Sequence, residues 1–362
     1  PPYDGVIMAT IKKLSSGRYQ AQTCIKGIRR AKTFTRQADA KRWATQLELD
    51  AESGLSAGAR LPLSHYIAQH REYINQKHKH PRHESAVLGF LLDDPIASIP
   101  ACEISPKDIQ DWIERRRTVP SRKTGRIVED STIARQLQIL SAMFSRMVDQ
   151  GACKSNPCHS IDRPKENPHR ERTASDEEIE AIKLVAGWDE GTPPVTKTQR
   201  VAAAFIFACC TGMRAGEMMR IEKSWISGRT LRIPAEAAKT RTSRTIALND
   251  RAMDILKNVL SLGIEPLIWG MSDGIRDALW RKIRDKAGLQ EVRDSEGRLI
   301  KQGLNFHDGR ATFCTWAASP GPDGAPRLDV MSLARQTGHK NLKMLMRYYR
   351  PSIDSFVDRL NK

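Results

Sequence analysis

The sequence lacks the patterns that mark membrane, zinc-binding and disulfide-stabilised proteins. No apolar run approaches the roughly 18 residues of a membrane span. Seven cysteines occur without any C-x-x-C pair, and Cys209 and Cys210 lie together inside an apolar run, as ordinary buried thiols do. The sequence therefore supports neither a zinc site nor a disulfide framework. No signal peptide opens the chain, so we expect a cytoplasmic location and no membrane partner.

Aromatic and acidic residues are also scarce. Aromatics make up 6% of the 362 residues, and 42 Asp and Glu oppose 59 Lys and Arg, which leaves a formal charge of +17. A positive field of this size favours a polyanion, and nucleic acid is the usual one. Because few aromatics are available to stack on single strands, duplex DNA is the favoured partner. A basic protein without such a partner stays an alternative. The length predicts two or three domains.

The first 55 residues predict a small sheet packed on a helix. Residues 6–34 alternate with a period of two, and Lys26 and Gly27 form a turn signal. A helix with small and apolar residues on one face follows and ends at Gly54. We therefore expect about three strands and one helix. Because a β-ribbon fits the major groove, the cations of this region favour a sheet face that binds DNA over a solvated face; they are Arg18, Lys26, Arg29, Arg30, Lys32 and Arg36.

Residues 61–152 have helical patterns and predict a four-helix, all-α domain. Its third helix begins with Ser105 as N-cap and ends in Arg115, Arg116 and Arg117. Cations there suit the helix dipole and could equally contact phosphate. Residues 153–173 are rich in proline and charge, which predicts an interdomain linker.

The next domain contains two segments of chemical interest. An apolar helix at 199–211 ends in TGMRAGE, which leaves Arg214 on a buried support with Glu217 three residues later. A structural Arg–Glu pair and a phosphate site explain this motif equally well. Lys239 lies in a turn between two predicted strands, 230–234 and 244–248, where most lysines are merely solvated.

The stretch from His307 to Tyr349 brings cations together with a phenol. His307 and Arg310 are three residues apart and share a helix face, so both can reach one small anion. His339 follows in TGHK, and Tyr348 lies nine residues beyond it. A phenol has a pKa of about 10 and attacks poorly unless positive groups stabilise the charge that develops on the phosphate. This combination predicts phosphoryl transfer.

The order of these motifs resembles the tyrosine recombinases, also called phage integrases. The matching segments are TGMRAGE, KTRTSRTIAL, HDGR, TGHK and RYY. The resemblance implies a multidomain α+β fold with an arm-type DNA-binding domain at 1–55, an all-α core-binding domain at 61–152 and the linker at 153–173. It also implies a mainly α catalytic domain with a small antiparallel sheet at 174–350. A C-terminal helical tail at 351–362 would then dock on a neighbouring protomer or on its own domain.

The resemblance also implies an activity and a role for each residue. Tyr348 would attack the scissile phosphate while Arg214, Arg310 and His339 hold its non-bridging oxygens. Lys239 would protonate the leaving 5′ oxygen, and His307 would assist proton movement or bind the phosphate. Glu217 would support Arg214.

The reaction implied is site-specific recombination of duplex DNA at core-type and arm-type sites, carried out by a homotetramer in the bacterial cytoplasm. It needs no metal or other cofactor, and an accessory DNA-bending or excision factor would fit it. The expected role is integration and excision of a prophage or other mobile element. A resolvase or invertase, a non-catalytic DNA-binding relative and a type IB topoisomerase are the alternatives.

Two positions depart from the family pattern. Gly309 stands where the family commonly has a larger apolar residue, so we expect weaker packing between the two functional residues beside it and a cost of about 1 kcal/mol in helix propensity. Tyr349 competes with Tyr348 for the nucleophile's place, because adjacent helical residues point about 100° apart and only one can face the phosphate. The nine-residue spacing from His339 favours Tyr348.

Overall fold

The structure is a computed structural model of the chain. It describes residues 8–25, 28–52, 60–78, 81–120, 125, 127–165, 170–239, 241–296, 298–322 and 324–349. The chain forms two compact units, residues 1–169 and 170–362. The described ranges contain thirteen α-helices and three small antiparallel sheets, which confirms the expected α+β class. No helix within them is both long and apolar enough to cross a membrane.

The first unit begins with a three-stranded sheet and one helix. The elements are β1 (Met8–Lys13), β2 (Tyr19–Ile25), β3 (Ile28–Phe34) and α1 (Gln37–Glu52), and the strands are antiparallel in the order β1-β2-β3. Ala21 of β2 meets Ala40 and Ala44 of α1 in a small buried core. Alanine side chains let the helix lie close to the sheet. The strands and helix expected from the sequence periodicity are therefore present.

Four helices follow, as the apolar stripes predict. They are α2 (Leu63–Lys77), α3 (Arg82–Leu92), α4 (Pro106–Thr118) and α5 (Asp130–Asp149). Their apolar faces meet in one core that includes the buried Trp112 and Phe144. The predicted N-cap of α4 is confirmed, because the Asp108 amide donates to the Ser105 hydroxyl at 3.3 Å and the Ser105 amide donates to the Asp108 carboxylate at 2.8 Å.

The three arginines at the end of α4 donate hydrogen bonds to side chains of the same unit. Arg115 donates twice to Asp94, from Nη2 at 2.7 Å and from Nε at 3.1 Å. Arg117 donates twice to Asp130, at 2.9 Å in both bonds. Arg116 donates to the side-chain oxygen of a glutamine on α5 at 3.1 Å. These contacts favour a structural role for the three cations over phosphate binding.

The start of the predicted linker at 153–173 packs against the helical core. Cys153 and Cys158 are buried in it, and the Asn156 side chain donates to the Ser141 carbonyl at 2.8 Å. Proline and charge predicted an interdomain linker without regular structure, and two buried thiols and an amide supply the contacts that hold its first part against the core. Within that segment, residues 166–169 lie outside the described part of the chain.

The second unit contains eight α-helices and five strands within its described residues. In chain order these are α6 (Asp176–Ala186), α7 (Lys197–Thr211), α8 (Ala215–Met218), β4 (Ile226–Ser227), β5 (Thr230–Ile233), β6 (Arg244–Ala247), α9 (Asp250–Leu260), α10 (Asp273–Lys286), β7 (Val292–Arg293), β8 (Leu299–Lys301), α11 (Asp308–Ala318), α12 (Val330–Thr337) and α13 (Lys343–Met346). Strands β5 and β6 are the two predicted strands on either side of Lys239. The insertion at 290–303, to which the sequence assigns no role, contains the β7–β8 hairpin.

Helix α7 lies at the centre of this unit. Residues 201–207 are fully buried, and α6, α9, α10 and α11 all contact the helix. It ends at Gly212, whose φ of 67° lies in the left-handed region. A Cβ at this position would come within 2.5 Å of Phe313 on α11. Glycine is therefore required for the chain to turn here, and the predicted helix end is confirmed.

Gly309 has a different role from the one expected. We expected its missing side chain to weaken the local packing. Instead, α11 lies so close to α7 that a Cβ at Gly309 would be 3.1 Å from the Phe205 carbonyl oxygen and 3.2 Å from the Ala208 Cβ. The expectation was wrong, because the glycine is what permits the two helix backbones to approach each other.

Candidate active site

Arg214 projects from the turn that follows α7. Its Nη2 donates to the Gly338 carbonyl at 2.9 Å, and its Nη1 lies 3.2 Å from Glu217 Oε1. Its side chain keeps 18% of its surface exposed. The sequence left a structural pair and a phosphate site equally open for this motif. The structure contains the pair and also leaves part of the guanidinium accessible.

Glu217 is the buried carboxylate of the cluster, with 2% of its side chain exposed. Besides Arg214, it accepts hydrogen bonds from Arg244, at 2.5 Å and 3.2 Å, and from the Lys239 amide at 3.4 Å. Burial raises the pKa of Glu217, but the hydrogen bonds and charges of its arginine partners outweigh burial, and the pKa lies below its ordinary value. Glu217 is therefore ionised and joins the Lys239 turn to Arg214.

Arg310 is the most enclosed cation of the cluster, with 4% exposed. Its Nη1 donates to the carbonyls of Gly212 and Thr337, at 2.7 Å in each case. No carboxylate among the described residues forms an ion pair with it. Burial and the charge of Arg214 lower the pKa of Arg310 to about 10, so the guanidinium stays protonated at neutral pH.

His339 follows α12, which ends at Gly338 with a φ of 71°. Thr337 Oγ1 donates its proton to the Leu333 carbonyl at 2.6 Å, so at 2.7 Å it accepts from His339 Nδ1. The other ring nitrogen then accepts from Arg310 Nη2 at 3.0 Å. Burial and the charges of Arg310 and Arg214 lower the pKa of His339 to about 3. The imidazole is therefore neutral, with its Nε2 lone pair directed at a cation.

His307 and Lys239 lie at the edge of this cluster. His307 is the residue at the start of α11, and its pKa is lowered by desolvation and by the charges of Arg310, Arg214 and Lys239. Lys239 is exposed in the β5–β6 turn. The fold thus brings six predicted site residues, including the supporting Glu217, from four separate segments into one neighbourhood.

Tyr348 and Tyr349 have different surroundings. The Tyr349 hydroxyl donates to the Leu328 carbonyl at 2.6 Å, and burial raises the pKa of Tyr349 to about 12. Tyr348 packs beside the buried cluster that includes Phe313, with the Arg347 guanidinium 5.3 Å from its ring centroid. Burial raises its pKa, while the charges of Arg347 and Arg310 lower it. A side-chain hydrogen bond with Arg347 lowers it as well. Within the described residues, no hydrogen bond joins Tyr348 to Arg214, Lys239 or Arg310.

A salt bridge that the sequence did not predict fixes the start of α11. Arg170 donates to Asp308 from Nε at 2.9 Å and from Nη2 at 2.6 Å. The same carboxylate accepts from the Asn305 amide at 2.7 Å. Because Asp308 lies between His307 and Arg310 in sequence, this pair holds the helix turn that carries both. The two partners are 138 residues apart, and no local pattern could have paired them.

Arg244 and Gln336 were also missed from the sequence. Arg244 is the first residue of β6 and the closest partner of Glu217. The Gln336 side chain donates to the Ala247 carbonyl at 2.9 Å and accepts from the Ala247 amide at 2.9 Å, which ties α12 to β6. Arg244 was visible only as one of several cations in KTRTSRTIAL, and nothing in that run distinguishes it.

The predicted DNA-binding cations of the first sheet are only partly described. Arg18 and Arg36 are exposed in the connections before β2 and α1. Lys32 pairs with Ala21, so it lies on the side of the sheet that α1 covers, with its Nζ 5.6 Å from the Phe34 ring centroid. Lys26 and the side chains of Arg29 and Arg30 lie outside the described residues. DNA binding by these six residues stays a prediction.

Two arginines and a neutral histidine thus lie close together, and side chains of these types commonly bind phosphate groups in proteins. A sequence profile of the phage integrase family matches residues 177–354. A Haemophilus influenzae protein with the provisional name integrase/recombinase is 30% identical over 354 residues, which cover 96% of this chain and 88% of that protein. The chain belongs to the phage integrase family, as the order of its motifs predicted.

Solved structures of integrases have the same fold. The Tn1549 transposon integrase, in complex with a circular intermediate DNA, superposes with a TM-score of 0.63 at 17% identity and covers 83% of this chain and 99% of its own. A lambda integrase dimer bound to a core site gives a TM-score of 0.62 at 16% identity and covers 94% of each chain. Together with the family assignment, this supports site-specific DNA recombination as the activity.

Proposed function

We propose that the protein cleaves and rejoins duplex DNA at specific sites through a 3′-phosphotyrosyl intermediate. The observation that carries this proposal is the buried guanidinium of Arg310, which contacts carbonyls and His339 but no carboxylate among the described residues. A buried cation without a counter-ion is costly. A phosphodiester supplies one negative charge and two oxygens that match the donors of two arginines. Binding DNA would therefore offset the unfavourable free energy of the buried Arg310 charge, which pairs with no carboxylate among the described residues of the free protein.

In the proposed reaction, the Tyr348 oxygen attacks the scissile phosphorus, and the bond from phosphorus to the 5′ oxygen breaks. Arg214 and Arg310 hold the non-bridging oxygens, and they stabilise the charge that grows there without having to move. The phosphate charge would also raise the pKa of His339, since it opposes the two arginines that lower it. His339 would then donate to the phosphate as well.

Proton transfer is assigned to the two groups at the edge of the cluster. Lys239 lies in an exposed turn and donates a proton to the leaving 5′ oxygen. His307, whose pKa is lowered by burial and neighbouring cations, is available in its neutral form to take the proton of Tyr348. The phosphotyrosine keeps the energy of the broken bond, so a 5′ hydroxyl of the partner strand can reverse the step without ATP.

The biological role that we propose is integration and excision of a prophage or another mobile element. The names of the similar proteins, among them a transposon integrase, support this role. Four copies would act together in two rounds of strand exchange, and the first sheet would bind arm-type sites apart from the core site. Within the same chemistry, resolution or inversion is the second candidate.

The nucleophile can be identified with a trapped intermediate. A binding site is first selected from duplexes with a randomised segment, and a nick is then placed beside the mapped cleavage position so that the released fragment diffuses away. We expect the wild-type protein to accumulate a covalent adduct, which denaturing gels and mass spectrometry detect. Tyr348→Phe should abolish the adduct, because it removes the attacking oxygen.

Tyr349→Phe is the matched control, since it removes the neighbouring hydroxyl. It should still form the adduct, although loss of the bond to the Leu328 carbonyl should lower the melting temperature. An adduct that persists in Tyr348→Phe and disappears in Tyr349→Phe would assign the nucleophile to the other tyrosine. If the wild-type protein binds its selected site but forms no adduct, the chain is a non-catalytic DNA-binding relative and the proposal is wrong.

A further inference from the structure

Glu217 is a single buried carboxylate that two arginines contact, and it accepts more hydrogen bonds from one of them than from the other. Arg244 makes two bonds to it, Nη2 to Oε2 at 2.5 Å and Nη1 to Oε1 at 3.2 Å. Arg214 makes one, at 3.2 Å. Both Nη atoms of Arg214 also donate to backbone carbonyls, one at 2.9 Å and one at 3.4 Å. The carboxylate is thus bound mainly by Arg244.

Arg244 is poorly placed to touch DNA itself. Its side chain is 8% exposed, and it packs beneath the Gly338 backbone, where a Cβ would come within 3.0 Å of its guanidinium carbon. Gly338 has a φ of 71° and its carbonyl accepts from Arg214, so this residue contacts Arg214 and also lies close to Arg244. Arg244 therefore acts on the site through its neighbours.

The negative charge of Glu217 competes with the DNA phosphate for the guanidinium group of Arg214. A buried carboxylate is stabilised by an ion pair with a nearby cation, and the strongest such pair is one in which an arginine donates two hydrogen bonds to it. If Arg244 were absent, Arg214 would be the nearest arginine able to make that contact. Its Nη atoms would then be directed at Glu217 rather than at a phosphate oxygen.

We propose that Arg244 is a positioning residue that occupies Glu217 and thereby leaves Arg214 free to bind the scissile phosphate. This inference rests on the proposed function. It predicts that the damage caused by removing Arg244 comes from an unopposed Glu217, so removing the Glu217 charge as well should repair part of it. If Arg244 served only to stabilise the fold, removing both partners of this buried pair would also relieve part of the damage, but the melting temperature and the adduct rate would then change together. Both are therefore measured, and a positioning residue should alter the adduct rate of proteins that remain folded.

The test is a double-mutant cycle with Arg244→Gln, Glu217→Gln and both together. The rate of adduct formation is measured in a single turnover on the nicked duplex, and Kd is measured on the intact duplex. Arg244→Gln should slow the adduct rate about 10- to 100-fold, the range seen when a group that orients a site residue is removed. Kd should change less than the rate, because Arg214 matters most as charge develops on the phosphate.

The double variant should form the adduct faster than Arg244→Gln alone. Arg244→Lys, which keeps the charge, should also be faster than Arg244→Gln. If the glutamine variant does not fold, the same cycle with Glu217→Gln is carried out with Arg244→Lys in its place. Arg251→Gln is the matched control, because Arg251 makes a similar two-bond contact with Glu190, at 2.6 Å and 2.8 Å, in the same unit. Its adduct rate should equal that of the wild type.

A double variant that is as slow as or slower than Arg244→Gln overturns the inference, and so does an Arg244→Lys rate no faster than that of Arg244→Gln. Neither result would affect the proposed function, since the wild-type protein and Arg251→Gln would still form the adduct. Absence of the adduct in all proteins, including wild type, would instead contradict the proposed function.

Discussion

At the scale of single residues, the cations of the site differ in what they can do with a proton. The guanidinium groups of Arg310 and Arg214 present several N–H donors in one plane, so we expect them to bind the phosphate and stabilise charge rather than to act as acids. Lys239 is exposed in a turn, and in the proposed reaction its ammonium would act as the acid. In the proposed reaction, the enclosed guanidinium groups would hold the phosphate and the accessible ammonium would protonate the leaving oxygen.

This division gives a test for Lys239. Lys239→Ala should slow adduct formation on an ordinary phosphodiester by about 10²- to 10⁴-fold, the usual contribution of a general acid. A substrate with sulfur in place of the bridging 5′ oxygen should restore most of the rate, because a thiolate leaves without protonation. Arg310→Lys serves as the control, since it impairs phosphate binding and sulfur should not repair it. Equal repair of both variants would show that Lys239 is no acid.

The sequence predicted most of these residues but not the pairs that hold them. Arg214, Lys239, His307, Arg310, His339 and Tyr348 were recognisable from the order of short motifs. Arg244 and Arg170 were not, because each bonds to a residue far away in the chain and no spacing marks it. The tautomer of His339 likewise depends on Thr337, whose hydroxyl proton is committed to another carbonyl.

At the scale of elements, the close approach of α7 and α11 sets the geometry of the site. The first helix ends in the turn before Arg214, and the second carries Arg310. Periodicity and caps were sufficient to predict both helices, since those signals are local. The distance between the two helices was not predictable from the sequence. The expectation of weaker packing at Gly309 was wrong because it was based on α11 alone, without the contact that α11 makes with α7.

Gly309→Ala tests this close approach. An added Cβ at 3.1–3.2 Å from atoms of α7 requires those atoms to move by a few tenths of an ångström, and because one of them is a backbone oxygen, we expect the helices to shift apart. Over-packing costs about 1–3 kcal/mol, which outweighs the gain of about 1 kcal/mol in helix propensity. We expect a lower midpoint in urea and a slower adduct rate, because Arg310 shifts with its helix.

Gly274→Ala is the control, since a Cβ there, in the first turn of α10, meets nothing within 4 Å. Its urea midpoint should stay the same or rise. If Gly309→Ala is as stable as the wild type, the helices have room that the structure does not indicate.

At the scale of the whole molecule, the net charge of +17 is the property most relevant to DNA. Some of that charge is neutralised internally, as at the end of α4, where arginines pair with Asp94 and Asp130. The exposed cations near the first sheet are better candidates for binding phosphate. Composition predicted a DNA partner, but it could not show which cations are free, since that depends on tertiary pairing.

Salt dependence can identify the cations that bind DNA. Replacing Arg18 and Arg36 with glutamine should weaken binding to the full selected site and reduce the slope of log K against log salt by about 0.9 for each phosphate that the protein no longer neutralises. Cleavage of a short core duplex should continue at the wild-type rate. Lys41→Gln with Arg42→Gln removes the same charge from exposed positions on α1 and should leave the slope nearly unchanged. Equal slopes in the two double variants would mean that Arg18 and Arg36 face solvent.

The hydrogen bond between the Tyr349 hydroxyl and the Leu328 carbonyl restricts how far the proposed nucleophile can travel. Consecutive Cα atoms are about 3.8 Å apart, so Tyr348 is tethered one residue from a fixed point. While that bond holds, we expect the Tyr348 side chain to move only near its own catalytic cluster and not to enter the active site of another subunit. Each subunit of a recombining assembly would then cleave DNA with its own tyrosine in its own active site. Which strand is cleaved would depend on which subunits are catalytically active.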